Sequence, residues 1–339
     1  MCCLFGMLDV NRRFSSKKKS RIISALAIAS EARGTDATGI AYNVGGSLHI
    51  YKRPVPAHKL RFHIPSEATF VMGHTRMTTQ GSAKRLENNH PFYGKADGRA
   101  FALAHNGVLY NDHWLRQTEH LPATTIETDS YVAVQLIEQT GFLSFDSLKH
   151  MAELVEGSFT FSVLDEYNNL YLVKGDNPLC LYRFSDTGLY LYASTEEILA
   201  KALLHLRMDL GVPRRIQVDD GEILRISPNG SITRSTFRMK ETSLLQYYSC
   251  YWLPSERPAP KQSTYRKQIV EFGRDLGVSV PELKYLDQAG VSDLDLENAI
   301  FDDGFRIDLL LETGYYDNLG GGWLDERAAC YTWRDTARG

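Results

Sequence analysis

The sequence is poor in cysteine and contains no long apolar run. Its five cysteines are odd in number, and none of them lies in a C-x-x-C pair. This pattern predicts neither a disulfide framework nor a metal site, and free thiols are typical of a reducing compartment. No apolar stretch approaches the roughly 18 residues of a membrane span, and no signal-peptide pattern is present. We therefore expect a cytoplasmic protein with no membrane contact.

The sequence also lacks a strong excess of charge of either sign. Its formal net charge is -3 at pH 7, so the charge gives no reason to expect nucleic acid as a partner. Hydrophobic residues make up 43% of the 339 positions, which is typical of a globular chain with a substantial core. The length suits one large domain or two ordinary ones.

Short apolar runs predict many β-strands with a few helices grouped between them. Segment 2–10 is predicted to be a buried strand, and apolar spacing over 17–33 predicts a helix whose three lysines form a solvated start. Gly45-Gly46 and Asn168-Asn169 separate strand-like runs and predict hairpins. Antiparallel strands with grouped helices indicate the α+β class.

A change of composition near residue 240 predicts a domain boundary. Three prolines (254, 258 and 260) lie in a polar stretch that is typical of a linker. We predict a first domain over 2–240, a linker over 241–262 and a small, mostly helical module over 263–339. Helix-like segments in the module cover 265–276 and a run around 299–311, and they give no indication of its function.

The second residue of the chain has the properties of an N-terminal nucleophile. Cys2 is small enough for Met1 to be removed ahead of it, which leaves an α-amino group on the residue that carries the thiol. An α-amino group has a pKa of about 8, so it can act as the base for its own side chain. Taken alone, Cys2 can equally be an inert thiol at the start of the first strand.

Three further segments place polar groups at the ends of predicted elements. Arg76 ends an apolar strand, and its guanidinium group is a natural partner for a carboxylate. Asn106 and Gly107 end a second apolar strand, where a side-chain amide and a backbone N–H can form an oxyanion hole. Asp129 opens a helix, where it can either cap the helix or bind an ammonium group.

Together these residues and their neighbours follow an order and spacing that resemble the class II glutamine amidotransferase domain, a family of N-terminal-nucleophile hydrolases. The matching segments are Cys2-x-x-Phe5-Gly6, Arg33-Gly34-x-Asp36-x-Thr38-Gly39, Gly73-His74-Thr75-Arg76, Asn88-Asn89-His90-Pro91, His105-Asn106-Gly107, Thr128-Asp129-Ser130 and Asp220-Gly221-Glu222-Ile223. The resemblance covers residues 2 to about 235. It implies an αββα sandwich of two antiparallel sheets flanked by helices.

The resemblance implies three catalytic residues. Cys2 matches the nucleophile that forms a glutamyl thioester, and its free α-amino group matches the base that carries the proton. Asn106 and Gly107 match the oxyanion hole. No metal and no organic cofactor are implied for this step.

The resemblance also implies four residues that bind glutamine. Arg76 matches the arginine that holds the α-carboxylate, with Thr79 and His90 lining the same pocket. Asp129 matches the acid that pairs with the α-amino group. Because glutamine is zwitterionic at its α-carbon, a site that selects it needs both an arginine and an acid.

Three positions depart from the family pattern. Cys3 stands where the family usually has glycine. Its side chain is expected to crowd the site, to compete with Cys2 as a thiol, or to fit as a small residue. Gln80 stands where some members have histidine, and Asn89 stands where alanine is common. We attach little weight to the last two.

The expected function is release of ammonia from glutamine for a separate synthase, because residues 241–339 are too few for the synthase domains to which this family is usually fused. One alternative is an N-terminal-nucleophile amidohydrolase that acts on another γ-glutamyl or related amide. A second is a non-catalytic binding descendant of the fold. The pair of Arg76 and Asp129 favours glutamine, and the intact set of site residues argues against a non-catalytic role.

Overall fold

The computed structural model describes residues 2–239, 266, 269–270, 273–274, 277–301 and 303–315. The chain divides into two compact units, Met1–Leu253 and Pro254–Gly339. The expected linker over 241–262 lies outside the described residues. The domain bounds 2–240 and 263–339 therefore stay a prediction.

The first unit is built from strands with five α-helices inserted between them in the described residues. The strands are β1 (Cys3–Asp9), β2 (Ala37–Val44), β3 (Ser47–Arg53), β4 (Phe70–Arg76), β5 (Phe92–Ala96), β6 (Arg99–Leu109), β7 (Gly157–Asp165), β8 (Leu170–Lys174), β9 (Cys180–Phe184), β10 (Leu189–Ala193), β11 (Pro213–Ile216), β12 (Glu222–Ile226) and β13 (Ile232–Thr236). The helices are α1 (Ser16–Ser30), α2 (Asp112–Thr118), α3 (Tyr131–Gln139), α4 (Phe145–Leu154) and α5 (Glu196–Leu206).

The strands form two sheets in which every pairing is antiparallel. One sheet has the order β11-β9-β10-β1-β4-β2-β3, and the other has the order β13-β12-β8-β7-β6-β5. Helices α1 and α5 pack on the first sheet, and α3 and α4 pack on the second. The predicted α+β class and the αββα sandwich are therefore confirmed.

The alternation of side chains along β1 decides which of them enter the space between the sheets. Leu4 packs in the core between the sheets together with Ala104 of β6, whereas Phe5 packs in the core between the first sheet and its helices. Because successive side chains of a strand point to opposite faces, Cys2 falls on the face of Leu4 and Cys3 on that of Phe5. The first strand therefore directs Cys2 and Cys3 to different layers.

Two hairpins predicted from turn residues are confirmed, and two strands and one α-helix of the first unit were not anticipated. Gly45 and Gly46 both have positive φ, 60° and 75°, as a two-residue turn between β2 and β3 requires. Asn168, with φ of 62°, lies in the turn between β7 and β8. Strands β5 and β11 and helix α2 did not emerge from the sequence patterns.

The expectation that the lysine run is a solvated helix start is wrong for Lys19. The two preceding lysines are exposed, but Lys19 is fully buried, and its Nζ lies 3.2 Å from Oδ2 of the equally buried Asp9. Nζ also donates hydrogen bonds to the carbonyl oxygens of Ser66 and Ala68, both at 2.8 Å. Lys19 therefore connects α1 to the end of β1 by an ion pair and to the loop before β4 by hydrogen bonds.

Three α-helices of the second unit have defined bounds among its described residues, in line with the expected helical module. They are α6 (Val280–Gln288), α7 (Asp293–Phe301) and α8 (Asp303–Glu312), packed around a small core that includes Leu283, Leu296 and Leu310. The helical run expected around 299–311 is thus two helices that meet near residue 302. Across the described residues, no helix combines the length and apolar character that crossing a membrane requires.

Candidate active site

One cavity lies where β1 begins, β4 ends and the segment before α3 passes β6. Its empty volume, counted together with the solvent at its open mouth, is about 240 Å³. Its lining residues are Cys2, Arg76, Met77, Thr79, Gln80, His90, His105, Gly107, Thr128, Asp129 and Ser130. Six of the seven residues predicted from the sequence are therefore brought together around one space. The seventh, Asn106, is the neighbour of Gly107 on β6.

Cys2 is held at the cavity as a largely buried thiol. Its side chain is only 8% exposed, and Sγ lies 3.4 Å from the carbonyl oxygen of Met77. Nε of Arg33 donates a hydrogen bond to the carbonyl oxygen of Cys2 at 3.1 Å, which fixes the backbone of the residue. Burial raises the pKa of the Cys2 thiol, so at neutral pH it is protonated and needs a base when it attacks.

Cys3 does not line the cavity. It is fully buried in the core formed with α1 and α5, and its Sγ lies 3.2 Å from the carbonyl oxygen of Leu4. The departure from glycine at this position is accommodated because the side chain faces the helix layer. The expected crowding of the nucleophile is therefore not seen.

Asn106 and Gly107 lie within β6 and not at its end. The strand continues to Leu109 because residues 106–109 pair with residues 157–160 of β7. Asn106 is fully buried, yet neither its amide oxygen nor its amide nitrogen has a hydrogen-bond partner in the described part of the chain. Unpaired buried amide groups are costly, so the Asn106 amide keeps an unused donor and an unused acceptor next to Gly107.

The backbone at Gly107 requires glycine. Its φ is 144°, and a Cβ atom added there would lie 1.9 Å from the carbonyl oxygen of Ser158. Nδ2 of Asn177 donates to the carbonyl oxygen of Asn106 at 2.9 Å and supports this part of β6 from the loop after β8. The role of Asn177 was missed, because its partner lies 71 residues away and no local pattern reveals it.

Asp129 lies just before α3 and is bonded to β6. Its Oδ2 accepts a hydrogen bond from the backbone N–H of Leu109 at 2.7 Å, and its Oδ1 accepts one from the Ser130 hydroxyl at 3.2 Å. The side chain is buried, and this burial raises its pKa to about 6. A buried carboxylate at a cavity wall is stabilised by an incoming cation, which suits an ammonium group.

Arg76 is the last residue of β4 and brings a buried positive charge to the same cavity. Nη1 of its guanidinium group donates to Oδ1 of Asn89 at 2.7 Å, and Nη2 donates to the carbonyl oxygens of Gln80 and Gly81 at 2.6 and 3.0 Å. Burial lowers the pKa of the guanidinium group without making it neutral at ordinary pH. A cation and an anion, Arg76 and Asp129, thus line the same cavity.

Three buried histidines surround the site and are uncharged. Burial lowers the pKa of His74 and of His105 to about 3, and it lowers the pKa of His90 well below its ordinary value. The His90 ring lies between the rings of His74 and Phe92, at 4.2 and 4.3 Å between centroids and tilted by 38° and 58°. Neither of its ring nitrogens has a hydrogen-bond partner in the described residues. The positive charge available to a bound carboxylate therefore comes from Arg76.

Sequence reasoning left five lining residues without a role. They are Met77, Gln80, His105, Thr128 and Ser130. All five adjoin predicted residues in the sequence, so proximity to a matched segment was the available signal. No group of three or more His, Cys, Asp and Glu side chains within the described ranges could hold a metal ion.

Comparison with known proteins agrees with this geometry. Residues 74–201 match the family model of the glutamine amidotransferase domain. The chain is 33% identical over 158 residues to a glutamine–fructose-6-phosphate aminotransferase of Geobacillus kaustophilus, a match that covers 44% of this chain and 26% of that protein. It is 28% identical over 236 residues to an amidophosphoribosyltransferase of Methanocaldococcus jannaschii, which covers 66% and 48%. The matches thus span between about a quarter and a half of the length of these relatives.

Solved structures share the fold at lower sequence identity. A glutamine phosphoribosylpyrophosphate amidotransferase from B. subtilis, complexed with ADP and GMP, aligns with a TM-score of 0.56 and 22% identity, over 70% of this chain and 50% of that chain. A structure described as the allosteric regulatory enzyme of purine biosynthesis aligns with a TM-score of 0.57 and 20% identity, over 86% and 59%. Residues 74–201 therefore match the glutamine amidotransferase domain, and the first unit has the N-terminal-nucleophile hydrolase fold that these structures share.

Proposed function

We propose that this domain hydrolyses the side-chain amide of glutamine, with Cys2 as the nucleophile once Met1 has been removed. The observation that carries the proposal is the convergence of a thiol, a buried cation and a buried anion, Cys2, Arg76 and Asp129, on one cavity. Glutamine carries the complementary groups, a carboxylate and an ammonium group at its α-carbon and an amide at its other end. Thr79 and His90 complete the pocket for the α-carboxylate.

In the first half of the proposed reaction, Sγ of Cys2 attacks the amide carbon of glutamine. The proton of the thiol passes to the α-amino group of Cys2. The negative charge that forms on the amide oxygen is stabilised by the Asn106 amide and the Gly107 N–H. Collapse of this intermediate breaks the C–N bond. The leaving nitrogen takes the proton back from the α-ammonium group and departs as ammonia, leaving a glutamyl thioester on Cys2.

In the second half, water replaces ammonia. The α-amino group takes a proton from the water as it attacks the thioester carbon, and the same oxyanion groups stabilise the second intermediate. Breaking of the C–S bond returns the proton to Sγ and releases glutamate. The sum is glutamine plus water giving glutamate plus ammonia, with Cys2 restored.

We further propose that a separate synthase takes the ammonia. The relatives have names that describe transfer of an amino group from glutamine to another substrate, which supports a use of the ammonia beyond simple release. The described residues of the second unit offer no feature that identifies an acceptor. In this proposal residues 2–240 hold the glutamine site, and residues 263–339 form a separate module whose role is open.

Labelling with a diazoketone analogue of glutamine tests the function. We expect the intact mass to show loss of Met1 and one adduct, peptide mapping to place the adduct on Cys2, and excess L-glutamine to prevent it. D-glutamine is the matched control and gives no protection. A retained Met1, or an adduct on Cys3, contradicts the mechanism. Turnover of a γ-glutamyl anilide without any ammonia release from glutamine favours the amidohydrolase alternative.

The pH dependence of kcat/KM for glutamine provides a second prediction. The α-amino group must be unprotonated, so activity falls with a slope of one below about pH 8. Asp129, whose pKa is raised to about 6, must be ionised to bind the α-ammonium group, so the slope approaches two below about pH 6. The bound ammonium group favours the ionised carboxylate, and the steeper limb should therefore lie at lower pH in kcat than in kcat/KM.

The matched variant for this pH profile is Asp129→Asn. It removes the titrating group and leaves a similar shape, so we expect a much lower kcat/KM and a single slope of one on the acid side. Stopped assays of ammonia release between pH 5 and pH 9 measure both limbs. A second slope that persists in Asp129→Asn assigns the lower limb to another group.

A further inference from the structure

Asn89 lies in the covering loop, the segment between β4 and β5 that also contains Gln80 and Gly81. Its side chain is fully buried, and its Oδ1 accepts the hydrogen bond from Nη1 of Arg76 at 2.7 Å. We propose that Asn89 is a positioning residue, which holds the guanidinium group of Arg76 in the orientation that binds the α-carboxylate of glutamine. This inference rests on the proposed function and adds a determinant of substrate specificity to the same site.

Asn89 supplies the one side-chain acceptor among the hydrogen bonds that hold Arg76 within residues 2–239. The other two acceptors are the carbonyl oxygens of Gln80 and Gly81, which belong to the covering loop. A guanidinium group held only by loop carbonyls follows every movement of that loop. A bond from Nη1 to a buried side chain removes this freedom, and a hydrogen bond to a charged group is stronger than one between neutral groups.

Asn89 is itself fixed on two sides. Its Nδ2 donates to the carbonyl oxygens of Ala83 and Arg85 at 2.7 and 3.2 Å. Its own carbonyl oxygen accepts from Nζ of Lys52 at 2.5 Å, and Lys52 also donates to the carbonyl oxygen of Pro91 at 3.1 Å. The position of Oδ1 is therefore determined by β3 as well as by the loop, which makes it a firm support for Arg76.

An amide suits this place better than a carboxylate or an alanine. The amide oxygen accepts from Arg76 but carries no net charge, so the full positive charge of Arg76 remains available to the substrate carboxylate. A carboxylate at position 89 would pair with Arg76 and compete with the substrate. An alanine would leave Nη1 without its acceptor and the carbonyl oxygens of Ala83 and Arg85 without their donor.

Asn88 provides a matched control in the adjacent position. It is the same residue type, is equally buried and anchors the same loop, through bonds from Nδ2 to the Ser82 carbonyl oxygen and to Oε2 of Glu127. Its Oδ1 accepts from the backbone N–H of Glu127 at 3.0 Å. Asn88 has no bond to Arg76, so Asn88→Ala loosens the loop but leaves the bond between Arg76 and Asn89 in place.

The experiment compares hydrolysis of L-glutamine with hydrolysis of its α-carboxamide analogue in the full chain. For Asn89→Ala we expect KM for glutamine to rise about tenfold with kcat within about twofold of the wild type. The preference for glutamine over the carboxamide, as a ratio of kcat/KM values, should fall by about the same factor. Asn88→Ala should lower the thermal midpoint comparably and leave this preference within about twofold.

The outcomes separate the inference from the function on which it rests. If the wild type hydrolyses glutamine and Asn89→Ala keeps the full preference, the positioning role is overturned and the proposed function stands. An equal loss of preference in Asn88→Ala also overturns it, because the effect then belongs to the loop. If Asn89→Ala is too unstable to assay, Asn89→Ser, which keeps a smaller polar side chain, replaces it under the same criteria. A wild type that releases no ammonia overturns both proposals.

Discussion

Replacing Cys2 by alanine is expected to lower the rate of glutamine hydrolysis by at least about 10⁴-fold, because the proposed reaction has no other nucleophile. Alanine is also small enough to permit removal of Met1, so the α-amino group is retained and the change is confined to the sulfur atom. Arg76 and Asp129 are untouched, and glutamine should still bind with an affinity within about tenfold of the wild type. An ammonia-release assay and titration calorimetry measure the two effects.

The neighbouring cysteine is the control for this experiment. Cys3 is fully buried against the helix layer, on the opposite face of β1 from Cys2. We expect Cys3→Ala to keep kcat/KM within about threefold and to cost about 1 kcal/mol of stability. Strong inactivation by Cys3→Ala, or substantial activity in Cys2→Ala, would show that Cys2 is not the nucleophile.

Most of the framework of the site could be predicted because its signals are local. Gly45-Gly46 marks a turn whose geometry only a few residues adopt, and the apolar strand 3–9 is buried on both faces. Three of the predicted site residues lie at or just before the ends of such elements: Cys2 precedes β1, Arg76 ends β4 and Asp129 precedes α3. Once the strands are placed in two facing sheets, Cys2 and Asn106 fall on inward faces by alternation alone.

The elements that were missed carry little local signal. Strand β11 consists of a proline, two arginines and an isoleucine, and it lies at the edge of its sheet with its first three residues exposed. Neither apolar content nor alternation therefore indicates a strand there. Strand β5 has only five residues, two of which are exposed. The predicted end of β6 at Asn106 and Gly107 is too early, because pairing with β7 carries the strand on to Leu109.

Buried polar contacts are the least predictable part of the molecule. Asn89 and Asn177 each form a hydrogen bond with a predicted site residue. In both cases the tertiary fold brings the two partners together, because they are not neighbours in the sequence. Lys19 stands in a run of three lysines, and its burial depends on facing Asp9 across the interface between α1 and β1. Such contacts become visible only when the tertiary arrangement is known, because residue type gives the opposite expectation.

Replacing Lys19 by methionine is expected to lower the free energy of unfolding of the first unit by about 3–5 kcal/mol, the largest stability effect that we anticipate. The variant replaces the lysine by an apolar side chain of similar length, so the Asp9 carboxylate stays buried without its cation. Asp9 would retain only the backbone N–H groups of Arg13 and Phe14, at 2.8 and 3.0 Å. The carbonyl oxygens of Ser66 and Ala68 would lose their donor as well. Urea denaturation of the full chain, followed by circular dichroism, measures the change.

Lys18→Met is the matched control for Lys19→Met, because it makes the same replacement one residue earlier at an exposed position. We expect it to change the free energy of unfolding by less than about 0.5 kcal/mol. The double variant Asp9→Asn/Lys19→Met removes both charges and should be less destabilised than the sum of the two single variants, since neither charge is then buried alone. If Lys19→Met is as mild as Lys18→Met, the ion pair contributes little. In that case apolar packing holds α1 against β1, the strand that follows Cys2 in the chain.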